Sequence, residues 1–277
     1  MHIFVSSGIC PAAQLDTLLE AFADREFASY ATSSRLDGDH DVSLYVDTPA
    51  PAPELLAICA SHGITLTAQG GGTAEELVKG YLPEDPVEIA PDVWIDPRGD
   101  LPAAGRLVLR LPATLAFGDG HHPSTRMAAG LLCELPLVGR RVLDLGCGTG
   151  ALGLMCLLKG AVSAEFTDID QASLAATTNA LATHGVSGDV HHADLLDGIH
   201  APCDLFIANL YADLVLVILA DPRLDDVWPA GNVVLSGIHV RHRDAVKAAL
   251  IAAGCTLTGE REEAWWCALA AVRLPRG

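Results

Sequence analysis

An α/β fold, doubly wound about a largely parallel sheet and preceded by a small α+β module, is predicted by three observations. From about residue 113 onward, apolar extended stretches alternate with helical ones. The first strand of that run ends in a glycine-rich turn, DLGCGTG from Asp144 to Gly150, which opens directly into a helix. Before it, residues 1–72 follow another order, strand–helix–strand–strand–helix–strand, and a proline-punctuated stretch separates the two patterns.

In the N-terminal module HIFVS reads as a strand and AAQLDTLLEAFAD as an amphipathic helix. FASYATSS and DVSLYVD follow as strands, APELLAICASH as a second helix and ITLTAQ as a closing strand. This βαββαβ order predicts a ferredoxin-like domain over 1–72, a fold that hosts many functions. Gly70, Gly71 and Gly72 are expected to break the chain. Residues 73–112 then read as a connector, within which VWID and RLVLRL are short strands able to pair.

Over 113–277 the strands RVLDLG, SAEFTDI, CDLFIAN and GNVVLSG alternate with helices. Repeated βα units imply a parallel sheet covered on both faces. Two final extended stretches, separated by EREEAW, predict an antiparallel hairpin at the sheet edge.

The formal charge of −18, from 35 acidic and 17 basic residues, disfavours a nucleic-acid footprint, which needs clustered Lys and Arg. It suits a basic partner or serves solubility. No apolar run reaches the roughly 18 residues of a membrane span. The N-terminus has no secretory pattern, so a cytoplasmic location is expected. Eight scattered cysteines without a CxxC pair predict reduced, mostly buried thiols.

The glycine turn carries the sharpest chemistry. A strand that ends in glycines and opens a helix lets the backbone approach a ligand closely. Its spacing is G-x-G-x-G with Asp144 two residues before Gly146, and Asp144, Gly146 and Gly148 are expected to bind the ligand there; a dinucleotide site would read G-x-G-x-x-G. Asp168, at the end of the next strand, stands at the roughly 20-residue distance expected of an acid that binds ribose hydroxyls. Asp170 instead precedes QASLAATTNA and reads as that helix's N-cap. Asp194, after the DVHH strand, reads either as an acceptor for an adenine amino group or as a solvated loop acid. Asn209 ends CDLFIAN, where ligands of α/β sheets bind, and its carbonyl can orient an amine. Tyr211 reads equally as pocket wall or core. In LAFGDGHHPST, Leu115 to Thr125, the glycines make a loop and Pro123 suits a first helical turn. The histidine pairs lack the spacing of a metal site, and no metal is expected.

In order and approximate spacing, AFGDGHHPST, VLDLGCGTG, DIDQ, ANLYADL, LSGI and EEAWWCALAAVR resemble the ribosomal protein L11 methyltransferase (PrmA) family over about Pro86 to Arg273. The resemblance implies a seven-stranded class I methyltransferase sheet, S-adenosylmethionine as cofactor and a protein amine as acceptor, most simply a basic ribosomal protein. It also implies cofactor contacts from Thr125, Gly146, Asp168 and Asn209, with Phe117 lying over the cofactor, and substrate recognition by the N-terminal module. Asp119 stands where that family usually has threonine, and the N-terminal module departs most. The expected chemistry is in-line methyl transfer to a neutral amine held by Asn209 and the Leu210 carbonyl, with no strong general base in view. Competing readings are a methylase of another protein or of a metabolite, a non-catalytic adaptor, and an NAD-dependent oxidoreductase.

Overall fold

The computed structural model describes residues 2–23, 30–34, 39–46, 48–73, 85–111, 114, 116–199 and 201–275. The start of the predicted FASYATSS strand and parts of the predicted connector lie outside them. The chain forms two compact units, Met1–Leu82 and Pro83–Gly277.

The first unit runs β1 (His2–Cys10), α1 (Leu15–Ala23), β2 (Tyr30–Ser34), β3 (His40–Val46), α2 (Pro53–Ser61) and β4 (Thr67–Thr73). Its sheet has the order β2-β3-β1-β4, with every neighbour antiparallel. That is the arrangement of two interlocked split βαβ units. Leu18 and Phe22 of α1, Val42 and Leu44 of β3, and Ile58 and Cys59 of α2 fill its core. The glycine triplet does not break the chain as expected. Gly70, Gly71 and Gly72 pair with Val5, Phe4 and Ile3 inside β4, beside a bulge in the β1 ladder. Ladder bonds are made by the backbone, and an edge strand loses least by lacking side chains.

In the second unit the stretch read as connector folds into a small sheet of β5 (Val87–Ala90), β6 (Val93–Ile95) and β7 (Leu107–Leu109). VWID and RLVLRL do pair, in parallel. Ile89, Ile95 and Leu109 join the same buried cluster as Met127 and Leu131 of α3 (Pro123–Cys133), so this sheet belongs to the second unit's core. Asp96 is fully buried and accepts the backbone N–H groups of Arg98 and Leu101, at 3.1 and 2.7 Å, which fixes the loop between β6 and β7.

The main sheet holds β8 (Arg141–Leu145), β9 (Ser163–Asp168), β10 (Asp189–His192), β11 (Leu205–Asn209), β12 (Gly231–His239), β13 (Cys255–Glu263) and β14 (Trp266–Arg273). Their order is β10-β9-β8-β11-β12-β14-β13. The first five are parallel, and the hairpin β13–β14 folds back so that β14 inserts antiparallel to β12. Crossovers are made by α4 (Ala151–Leu158), α5 (Gln171–His184), α6 (Ala212–Ala220) with α7 (Leu224–Val227), and α8 (Arg243–Ala252). Strand alternation sorts the faces. Val142, Phe166 and Ile207 pack with α3, α4 and α5, while Leu143, Phe206 and Val233 pack with α6, α7 and α8. Trp228 is fully buried beside Phe206 and under the Arg273 guanidinium, which lies 5.6 Å from its ring and donates to the Trp228 carbonyl at 2.9 Å. Successive strands run outward from β8 to β9 and β10, then return on its other side as β11. The switch point between β8 and β11 is where such sheets open a cleft at their carboxyl ends.

Candidate active site

The cleft is built on one side from main chain. Gly146, Gly148 and Gly150 take φ of 71°, 55° and 75°, and a Cβ on Gly148 would stand 2.1 Å from the Phe117 carbonyl oxygen. Only glycine allows the 116–122 loop to lie this close, at a φ that costs other residues about 1–2 kcal/mol. Thr149 stitches the loop to the turn: its N–H donates to Phe117 O at 2.9 Å and its hydroxyl to Gly118 O at 2.9 Å. Asp168 accepts from Gly148 N–H at 3.0 Å through Oδ2 and from Asp170 N–H at 2.9 Å through Oδ1. Two backbone donors thus set the plane of a half-buried carboxylate that retains acceptor capacity. Asp170 caps α5, accepting from Ala172 N–H at 3.1 Å. Asp194 is exposed after β10, and its neighbour Ala193 donates to the Asp168 carbonyl at 3.2 Å.

Asp144, grouped by spacing with the cofactor residues, is placed otherwise. Strand alternation turns it, with Val142, toward α4. It is 2% exposed, and its Oδ2 accepts from Gly153 N–H at 2.8 Å. Burial pushes its carboxyl up to about 7, opposed by that hydrogen bond and reinforced by the charge of Asp168. Asp144 braces the turn from beneath the first turn of α4.

The other side of the cleft is built from side chains. Among the described residues, Asn209 Oδ1 and Thr125 Oγ1 are buried without a hydrogen-bond partner. Ser236, which pairs with Asn209 across β11 and β12, donates its hydroxyl to Ser124 O at 2.9 Å and so joins the start of α3 to the end of β11. Gly237 lies in a β12 bulge at φ 76°, where a Cβ would come 2.8 Å from Leu210 O and 2.9 Å from Asn209 Oδ1. The bulge makes room for both oxygens.

A chain of aromatic rings flanks these atoms. Phe117, 51% exposed, lies 5.2 Å from His122; His122 lies 4.9 Å from Trp266; Trp266 lies 6.4 Å from Tyr211 and 5.9 Å from His239. Tyr211 is 42% exposed, so it is wall and not core. His122 Nδ1 accepts from Ser124 N–H at 3.2 Å as the cap of α3. An amide can only donate, so the neutral ring carries its proton on Nε2. Burial, aided by the charge of Arg126, pushes His122 down to about 4 against the pull of Asp119 and Glu263. Trp266 is delivered by a two-residue turn in which Ala264 and Trp265 take φ of 46° and 70°. Glycine and asparagine favour such a turn. Here Val240 N–H holds it, donating to Trp265 O at 2.9 Å.

Sequence reading brought out Gly146, Gly148, Asp168, Thr125 and Asn209 but gave no role to His122, Gly237, Arg126 or Trp266. LSGI and EEAWW were visible as segments, yet nothing local tells that they meet α3. Among the described residues one histidine–acid group has the spacing of metal ligands. It is His191 on β10, whose Nε2 lies 3.3 Å from Glu165 and whose Nδ1 lies 3.7 Å from Asp189. Each ring nitrogen faces a different carboxylate, which is the geometry of an imidazole bridging two acids.

A seven-stranded sheet with an inserted antiparallel hairpin, a G-x-G-x-G turn and an acid at the next strand end define a class I S-adenosylmethionine-dependent methyltransferase. The fit to that cofactor rests on the glycine cradle, the oriented Asp168 carboxylate and the two unpartnered polar atoms. The sequence profile of the ribosomal protein L11 methyltransferase family (PrmA) matches residues 75–273, and the chain belongs to that family. It is 27% identical to the ribosomal protein L11 methyltransferase of Thermotoga neapolitana over 256 residues, 92% of this chain and 93% of that one. With the Burkholderia thailandensis protein of the same name it shares 34% over 196 residues, 68% of this chain and 62% of that one. A crystal structure of the ribosomal protein L11 methylase of Lactobacillus delbrueckii subsp. bulgaricus superposes with a TM-score of 0.60 at 26% identity, covering 68% of this chain and 98% of that one.

Proposed function

We propose that this methyltransferase acts in the cytoplasm on lysine or N-terminal amines of a basic ribosomal protein, L11, and that the N-terminal unit recognises it. The names of its relatives and the charge of −18 support this acceptor, since opposite charge speeds and orients encounter. Among the described residues no helix is long and apolar enough to cross a membrane.

The residue roles follow from the chemistry each group offers. Asp168 accepts from the ribose hydroxyls, Asp194 from the adenine amino group, and the Gly146–Gly148 backbone and Thr125 hydroxyl line the cofactor beneath Phe117. S-adenosylmethionine supplies a methyl group already activated by its sulfonium. The protein therefore contributes position and exclusion of water. Asn209 Oδ1 and Leu210 O accept the N–H groups of a neutral amine and so point its lone pair. His122, protonated on Nε2, is a donor and leaves the amine to shed its proton before docking. The observation that carries the reading is the buried, unpartnered Asn209 Oδ1 beside the Leu210 carbonyl, because an orphaned acceptor costs about 1–3 kcal/mol unless a donor arrives.

Purified enzyme, labelled S-adenosylmethionine and purified ribosomal protein L11 test the acceptor, with an unrelated basic protein alongside. Label is expected in L11 amines at catalytic enzyme concentrations. Equal labelling of both proteins, or none in L11, defeats the assignment.

A further inference from the structure

Arg126, on the first turns of α3, touches both walls of the cleft. Its guanidinium donates to the carbonyl oxygens of Gly120 and His121 in the Phe117 loop and pairs with Glu263, the last residue of β13. Glu263 stands opposite Trp266 across the strained Ala264–Trp265 turn. The two charged side chains are 29% and 45% exposed. An isolated pair this accessible contributes little to stability. Its position is what distinguishes it: it spans from the loop that carries Phe117 to the turn that carries Trp266, with His122 lying between the two rings.

The rest of β13 shows what such pairs do here. Glu260 and Glu262 reach Lys247 and Arg243 of α8 at 2.6 and 3.2 Å, whereas Arg261 reaches Glu134 just beyond α3 at 2.7 Å. Alternate side chains of one strand are thus tied to helices on opposite faces, and only the Arg126–Glu263 tie lies at the cleft. The loop end is also fixed by Thr149, and the turn end by Val240 N–H. Arg126 joins these two anchored pieces.

We propose that Arg126 and Glu263 form a clasp that holds the Phe117 loop and the Trp266 turn at the spacing the methyl acceptor requires, which makes Arg126 a positioning residue whose main effect is on the acceptor. The proposal rests on the reading above in placing the acceptor amine at Asn209 and Leu210. Arginine suits the task because one planar fork serves two carbonyls and a carboxylate together. The Asp168 side of the cleft is held by main-chain bonds that do not involve Arg126.

The test compares Arg126→Ala, Arg126→Lys, Glu263→Gln and the double variant Arg126→Ala/Glu263→Gln in the full chain. For Arg126→Ala, kcat/KM for the protein acceptor is expected to fall roughly 10- to 100-fold, the scale of a misplaced substrate. Cofactor Kd by calorimetry is expected to change severalfold less than kcat/KM, since Phe117 covers the cofactor but Asp168 and the glycine turn are held by bonds that do not involve Arg126. Lysine should restore part of the loss, and the double variant should be no worse than Arg126→Ala, because both changes open one clasp. Amide hydrogen exchange supplies a readout that needs no acceptor. Thr149 and Val240 donate into the loop and the turn, so both should exchange faster in Arg126→Ala and in the near-isosteric Glu263→Gln. Unchanged exchange at both amides overturns the clasp even if the acceptor assignment fails. So does a loss of cofactor affinity equal to the loss in kcat/KM. If wild-type enzyme does not label L11 while exchange rises as expected, the acceptor assignment fails and the clasp stands.

Discussion

The two sides of the cleft are built by different means. Around β8 and β9 nearly every contact has a backbone partner: Gly148 N–H to Asp168, Gly153 N–H to Asp144, and Gly146 and Cys147 N–H to Thr167 O at 2.8 and 2.9 Å. Around β11, β12 and the β13–β14 hairpin the cleft is a ring of side chains from four separate segments, with the buried Asn209 Oδ1 left unpartnered. A cofactor that never changes is served by a preorganised backbone surface. An acceptor that arrives from solvent meets side chains whose hydrogen-bonding capacity is held in reserve. On this contrast, substitutions on the first side are expected to change affinity and stability together, and those on the second to change turnover.

The largest effect is expected at Gly148. A methyl group there meets the Phe117 carbonyl at 2.1 Å, so Gly148→Ala should weaken cofactor binding by about 3 kcal/mol or more and lower Tm as well. Calorimetry showing near-normal affinity would break the account of the backbone side. Next comes Asn209→Ala, for which turnover at saturating substrates should fall roughly 100-fold while cofactor Kd changes far less. An unchanged kcat removes Asn209 from the acceptor side. Asp168→Ala should weaken cofactor binding by about 1.5–3 kcal/mol, the range for a charged hydrogen-bond partner.

A smaller effect lies in the pH dependence of stability. Asp144 titrates at about 7 folded and about 3.9 unfolded, so the folded state holds the extra proton and stability falls as pH rises from about 4 to 7. His122 titrates at about 4 folded and about 6.5 unfolded, so the unfolded state holds the extra proton and stability rises over nearly the same window. The two slopes oppose each other. Asp144→Asn, which keeps an acceptor for Gly153 N–H, should expose the His122 slope of up to about 1.4 kcal/mol per pH unit. Denaturant midpoints from pH 4 to 7 that run parallel in wild type and variant would refute the folded-state values. The same variant should bind cofactor normally if Asp144 only braces the turn. Asp170→Ala should have the smallest effect, a loss of about 1 kcal/mol in stability from the uncapped α5 with cofactor affinity intact.

Much of the glycine-turn side of the cleft was legible because its signals are local. The glycine turn, Asp168 and the capping Asp170 lie within one βαβ unit, where strand, turn and helix fix their relations over a short stretch. Asp144 was misplaced within the same unit because motif spacing does not say which face of the strand a residue takes. The alternation with Leu143 and Leu145 did, as it turned the carboxyl under α4. Glycine composition misled at Gly70–Gly72, where ladder pairing to β1 overrode the expected break.

By itself the sequence determined the doubly wound sheet, the βαββαβ module, the glycine turn and the acids beside it, since strand and helix periodicity and short-range turn chemistry decide each of these. Only the tertiary structure decided the aromatic side of the cleft. The strand order inserts β14 beside β12 and brings Trp266, His122, Tyr211 and His239 together from four segments, and the Gly237 bulge opens space for two oxygens contributed by β11 and the residue after it. Those meetings depend on which strands become neighbours. That choice is made by burying two faces of one sheet at once, a property of the whole domain that no local window contains.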